Sequence, residues 1–195
     1  MAVCAGKNVL AKQFTMVKKQ ATNKKKLTKS KADLVTVAIG PPQNRLDDAL
    51  MSSMLLQSKG QKIICGGTTS QIVARKVGQP VEIDLSSLQS NLPPYGFLEG
   101  VDLVTEGFTT LSHTLNLLKA YIYKNTLPEE YDAAVRLFSI LIQSKTIQFI
   151  VGSALKTTKN ETEISKEMKS EKMRIIENIC TLLKSTGKEV KMICL

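Results

Sequence analysis

The sequence predicts a three-layer α/β domain on a doubly wound, mostly parallel sheet of about six strands, Rossmann-like in class. Three observations carry this. Short Val- and Ile-rich runs alternate with stretches of helical periodicity. Glycine or a Gly-Pro step closes the first two runs, at Gly40-Pro41 and Gly66-Gly67, as turns out of strands require. The segments between runs are mostly long enough to be helical crossovers, which parallel neighbours need.

The first run, LVTVAIG at 34–40, is halted by Gly40-Pro41-Pro42, because proline cannot continue a ladder. Asn44 is placed to cap a helix with Leu46, Leu50, Met54 and Leu55 on one face, ended by Gly60. QKIICGG is the second strand, and the helix after it turns Ile72, Val73 and Val77 inward before Gly78. PVEID at 80–84 is a short third strand. The stretch LSSLQSNLPPYGFLEG, 85–100, reads as a long irregular loop, and loops of that length are usually functional. VDLVTEG is a fourth strand, followed by a helix striped with Phe108, Leu111, Leu115 and Leu118 and running to about Tyr123. A second helix is expected from Pro128, with acidic residues in its first turn, where the dipole favours them. TIQFIVGSAL is the fifth strand. A polar loop then leads to an amphipathic helix from Met168 to Leu183, and EVKMICL closes the chain as a strand expected at an antiparallel edge.

Charge divides the chain. Residues 1–32 hold nine lysines and no acid, while the remainder has 18 basic and 17 acidic side chains, close to neutral. The organisation expected is a basic flexible tail, 1–32, and a single α/β domain, 33–195. Clustered lysines release counterions on phosphate binding, but the tail has no Arg, Trp or Tyr, so it supports nucleic-acid contact only weakly. No apolar run reaches the roughly 18 residues of a membrane span and no signal core is present, so the expected location is cytoplasmic. Cys4, Cys65, Cys180 and Cys194 lack CxxC spacing and His113 is the one histidine, which is too few ligands for a zinc site. No metal ligand and no catalytic residue is assigned, and no cofactor is specified.

In open parallel sheets, ligands sit beyond the carboxyl ends of the strands. The residues expected there are Gly40 and Pro41 after the first strand, and Cys65, Gly66, Gly67, Thr68 and Thr69 after the second. Thr105, Glu106 and Gly107 follow the fourth, and Gly152 the fifth. Glycines admit close approach, and a helix starting near Thr68 presents unpaired N–H groups to a phosphate or carboxylate. The same residues also make an ordinary tight turn with a threonine N-cap, and Glu106 serves equally as a hydroxyl acceptor or as a cap for the following helix. Neither GxxxxGK[ST] nor GxGxxG occurs. Cys65 lacks a nearby arginine or histidine of the kind that activates a nucleophile.

KGQKIICGGTTSQIVARKVGQPVEIDL, GVDLVTEGFTTLSHTLNLL and IQFIVGSAL, in this order, resemble the C-terminal part of bacterial sporulation stage II protein E-like phosphatases. These are metal-dependent type 2C serine/threonine phosphatases, and the likeness runs from about Leu34 to Leu195. The resemblance implies the module that follows the catalytic domain, without the enzyme. Type 2C phosphatases hold two metals through aspartates, one in an Asp-Gly turn. Here no Asp-Gly occurs, and the six aspartates are scattered. The expectation is a non-catalytic module that binds a small anionic, phosphate- or nucleotide-like ligand and signals to a phosphatase or other protein partner. The alternatives are a small enzyme acting on a phosphorylated or nucleotide substrate at Cys65 and Glu106, and an interaction domain with a basic docking tail.

Overall fold

A computed structural model describes residues 33–89, 92–126, 128, 132–152, 154 and 162–195. The expected basic tail, Ser153 and most of the polar loop before the last helix lie outside the described residues. The strands are β1 (Leu34–Ile39), β2 (Gln61–Cys65), β3 (Glu82–Ile83), β4 (Gly96–Leu98), β5 (Val101–Thr105), β6 (Thr146–Val151) and β7 (Glu189–Cys194). The helices are α1 (Asp48–Gln57), α2 (Gly67–Val77), α3 (Phe108–Lys124), α4 (Ala133–Gln143) and α5 (Glu163–Ser185). Among the described residues no helix is long and apolar enough to cross a membrane.

The seven strands form one sheet in the order β3-β4-β5-β2-β1-β6-β7. β5, β2, β1, β6 and β7 are parallel, so their carboxyl ends share one edge. β1, β2 and β6 are nearly continuous apolar runs because both faces are covered. On one face Val35, Val37, Ile39, Ile63, Leu103 and Phe149 pack against α3, α4 and α5. On the other, Ala38, Ile64 and Ile150 meet Met51 and Leu55 of α1 and Val73 of α2. Phe149 is 1% exposed, and its truncation to alanine would cost about 3–5 kcal/mol.

The chain steps from β1 to β2 to β5 on one side, then returns across the sheet to β6 and β7. β1 and β6 are therefore the neighbours from which it departs in opposite directions, the geometry that opens a crevice in doubly wound sheets.

Several expectations are corrected. The sheet has seven strands rather than six, because Gly96–Leu98, inside the stretch read as an irregular loop, pairs antiparallel with both β3 and β5. The antiparallel edge is this β3–β4 hairpin. The last strand runs parallel to β6. Asn44 does cap, its carboxamide accepting from Leu46 N–H at 3.1 Å, but it caps a 3₁₀ turn, Arg45–Asp47. That tighter turn resets the helical phase, so Leu46 and Leu50 face solvent and Met51 and Leu55 face the core. α4 is described from Ala133, after an Asp132 N-cap whose carboxylate accepts from Val135 N–H at 2.8 Å; the acidic residues expected in its first turn lie outside the described residues. α5 begins five residues before Met168.

Candidate functional site

The carboxyl edge gathers Gly40, Gly66, Glu106 and Gly152 on neighbouring strand ends. The turns there differ sharply. At the β1/β6 crevice the chain fills its own space: Gly152 N–H donates to Ile39 O at 2.9 Å and Ala154 N–H to Pro41 O at 3.2 Å. A Cβ on Gly152 would overlap the carbonyls of Pro41 and Gly40. Gly152 thus serves a close crossing of the two chain segments, and Gly40, Pro41 and Gly152 are not among the residues that line the groove described below.

The β2/β5 pair is open. Gly66 N–H donates to Thr105 O at 2.9 Å, which ties the two strand ends together. Gly66 has φ +128°, a conformation L side chains rarely adopt, and it is the N-cap of α2 in place of the expected threonine. No side chain caps this helix. Gly67 and Thr68 at its start are exposed, and a Cβ on Gly67 would meet nothing within 4 Å. An uncapped helix start has unpaired N–H groups and the positive end of the dipole.

α3 begins beside it in the same way, after Gly107, but carries its own anion. The Glu106 carboxylate accepts from Phe108 N–H at 3.0 Å and from Thr109 N–H at 2.8 Å. Of the two roles open to Glu106, capping is the one formed. Cys65 is 1% exposed and packs in the core beneath α3, α4 and α5. Burial pushes its thiol up to about 12, against a lowering hydrogen bond with Thr105. A nucleophile needs the thiolate, which burial disfavours here, so the geometry of Cys65 lends no support to the reading of an enzyme at Cys65 and Glu106.

A groove of about 820 Å³ runs from this crest along α2, within the range of small-molecule sites, roughly 300–1,000 Å³. Gly67, Ser70 and Arg75 form one wall and Val104, Thr105 and Glu106 the floor. The other wall is Pro80, Val81 and Ile83 with Pro93 and Pro94. That wall exists because the β3–β4 hairpin extends the sheet past α2. Asp84 anchors it, accepting from Ser86 N–H at 3.0 Å and Ser86 O–H at 2.6 Å. Arg136 of α4 lies 4.4 Å over the Tyr95 ring and holds the hairpin to the opposite helical layer.

Of the residues expected at the site, Gly67, Thr105 and Glu106 line the groove. Gly66, Thr68 and Thr69 belong to the helix start beside it, and a Cβ on Gly107 would stand 3.5 Å from Gly66 Cα across the two turns. The sequence reading missed the proline wall and Lys172 of α5, whose Nζ lies 3.4 Å from where a Gly107 Cβ would stand. A repeated G-x-T-T, at Gly66–Thr69 and Gly107–Thr110, was the signal that could have paired the two turns. Among the described residues no three His, Cys, Asp or Glu side chains come together. Comparison with family models, curated proteins and solved structures gives no match to this chain.

Proposed function

We propose that the chain is a non-catalytic regulatory module that binds a small anionic ligand at the β2/β5 crest and passes that state to a protein partner. The observation that carries this is the uncapped start of α2 opening onto a groove of ligand size. Its neighbour α3, built alike, already holds the Glu106 carboxylate. An anion at α2 gains the same unpaired amides and dipole end. The likeness of KIICGGTTS and VDLVTEGFTT to the C-terminal part of sporulation stage II protein E-like phosphatases supports a phosphatase, or its signalling partner, as the protein addressed. On this reading the module works in the cytoplasm, and nucleic acid enters only through the lysine-rich tail.

A thermal-shift screen of nucleotides and phosphorylated metabolites tests it. A compound that binds only the folded chain raises the melting temperature with concentration by mass action. If no anionic compound in the screen does so, the ligand-binding reading fails.

A further inference from the structure

Two polar groups approach the start of α2 without a partner there. Thr69 is fully buried, and its Oγ1 makes no hydrogen bond. It is the one atom within 4 Å of the position a Gly66 side chain would take, at 3.6 Å, so the hydroxyl lies against the hollow that glycine leaves at the helix cap. A buried hydroxyl without a partner is unfavourable, and an acceptor seated in the hollow would relieve this. Lys172 arrives from α5: the Cβ position of Gly107 is 3.4 Å from its Nζ and 3.5 Å from Gly66 Cα. Among the described residues Lys172 makes no ion pair.

We propose that the β2–α2 turn is a phosphate subsite. The amides of Gly67 and Thr68, the Thr69 hydroxyl and the Lys172 ammonium take the phosphate group, and the groove along α2 takes the rest of the ligand. This rests on the ligand-binding reading above. The set consists of donors only, which matches a phosphate dianion, an acceptor at every oxygen. Glu106 sits at the same end as a carboxylate engaged by its own helix. It repels phosphate placed between the two turns and so directs the group over α2, while its remaining lone pairs accept from a hydroxyl. The walls beyond are Pro80, Val81, Pro93 and Pro94, flat and apolar. The ligand class is a phosphomonoester whose hydroxyl-bearing body ends in a flat apolar part, as in a nucleoside monophosphate.

Thr110 supplies an internal control. It holds the same position in α3 and its hydroxyl is likewise buried and unpartnered, but its helix start is occupied by Glu106. The experiment titrates the full-length chain, labelled for amide spectra, with inorganic phosphate and with AMP. The expected result is a shift of the Gly67, Thr68 and Thr69 amides with either probe. Thr69→Val should weaken binding about tenfold or more, Thr69→Ser should restore it, and Thr110→Val should leave it unchanged. Lys172→Gln should weaken binding and flatten its salt dependence. Melting temperatures of all four variants separate a loss of affinity from a loss of fold. If wild type binds while Thr69→Val and Lys172→Gln, both folded, bind as tightly, the subsite is wrong although the module reading stands. If neither probe moves these amides, the subsite falls, and the metabolite screen decides the reading beneath it separately.

Discussion

Thr69 and Thr110 hold the same place on helices that follow adjacent strands. Each is the third residue after a glycine cap, and each has a buried hydroxyl with no partner. The two helix starts differ in their caps, Gly66 at φ +128° and Gly107 at φ −82°, and in that Glu106 supplies a carboxylate to the one that begins at Phe108. The β2 turn has Cys65 at the position of Glu106, and that side chain is turned into the core. The first amides of α3 therefore have a carboxylate of their own, whereas Gly67 and Thr68 at the start of α2 are exposed and without a side-chain cap.

That asymmetry separates two neighbouring glycines. Gly67→Ala places a methyl group where nothing lies within 4 Å, at a helical position where alanine is preferred by up to about 1 kcal/mol. The variant should melt no lower than wild type yet lose affinity for phosphate, because the methyl stands in the groove. Gly66→Ala, at φ +128°, should lose about 1–3 kcal/mol of stability from backbone strain. Denaturant melts paired with titration check both. A Gly67→Ala chain that binds as tightly as wild type would move the ligand away from this turn.

Cysteine reactivity follows from burial. With its thiol pushed up to about 12, Cys65 is neutral across the physiological range and closed to solvent. Cys180, raised to about 11 by burial, should behave similarly, while Cys194 is exposed. Iodoacetamide at mildly alkaline pH should label Cys194 rapidly and Cys65 only on unfolding, as read by peptide mapping. Fast labelling of Cys65 in the folded chain would reopen nucleophilic chemistry at the crest.

How much of this was legible in the sequence depends on how local each signal is. β1, β2 and β6 are announced by apolar runs, and the Gly66 turn by its own residues. β4 is three residues long and follows two prolines, so nothing in Gly96-Phe97-Leu98 marks it except the hairpin partner it meets. Of the face formed by Leu46, Leu50, Met54 and Leu55, Leu55 is buried, but Leu46 and Leu50 face solvent after the 3₁₀ turn and Met51 joins Leu55 in the core. The groove needed both α2 and the Pro93-Pro94 wall. Lys172 reaches the crest from a helix about a hundred residues beyond Gly66, a distance no spacing rule spans.

The groove wall carries its own pH dependence. Hydrogen bonds from Ser86, chiefly from its hydroxyl, hold the Asp84 carboxyl below its ordinary 3.8. A carboxylate whose folded pKa is depressed contributes stability above its unfolded value and loses it as pH falls through the folded one. Asp84→Asn should thus lower the melting temperature at neutral pH. The effect should be small for so exposed a group, under about 1 kcal/mol. The gap from wild type should close as pH drops below 3.8. A gap that stays constant through that window would show that the carboxylate's charge has no part in holding the hairpin.

The isolated chain should not hydrolyse p-nitrophenyl phosphate or a phosphoprotein with manganese or magnesium. Activating an attacking water with divalent ions needs several oxygen ligands converging on one place, and here the aspartates are dispersed in separate structural roles. Asp33 pairs with Lys145 at 3.3 Å and Asp48 lies 4.0 Å from Arg75. Asp47 is the N-cap residue of α1. Asp84 holds Ser86, Asp102 accepts from Lys62 N–H at 2.9 Å, and Asp132 caps α4. Asp84 stands near the carboxyl edge of the sheet, whereas Asp102 is at the start of its strand, so the length of β5 keeps them apart. Substituting Asp132 with alanine should cost about 1 kcal/mol of stability through the lost cap and change no activity. Metal-dependent turnover by purified protein that disappears on replacing any one of these aspartates would overturn the non-catalytic reading. Trace turnover that survives every replacement would come from a contaminating phosphatase, and removing it by further purification would confirm that origin.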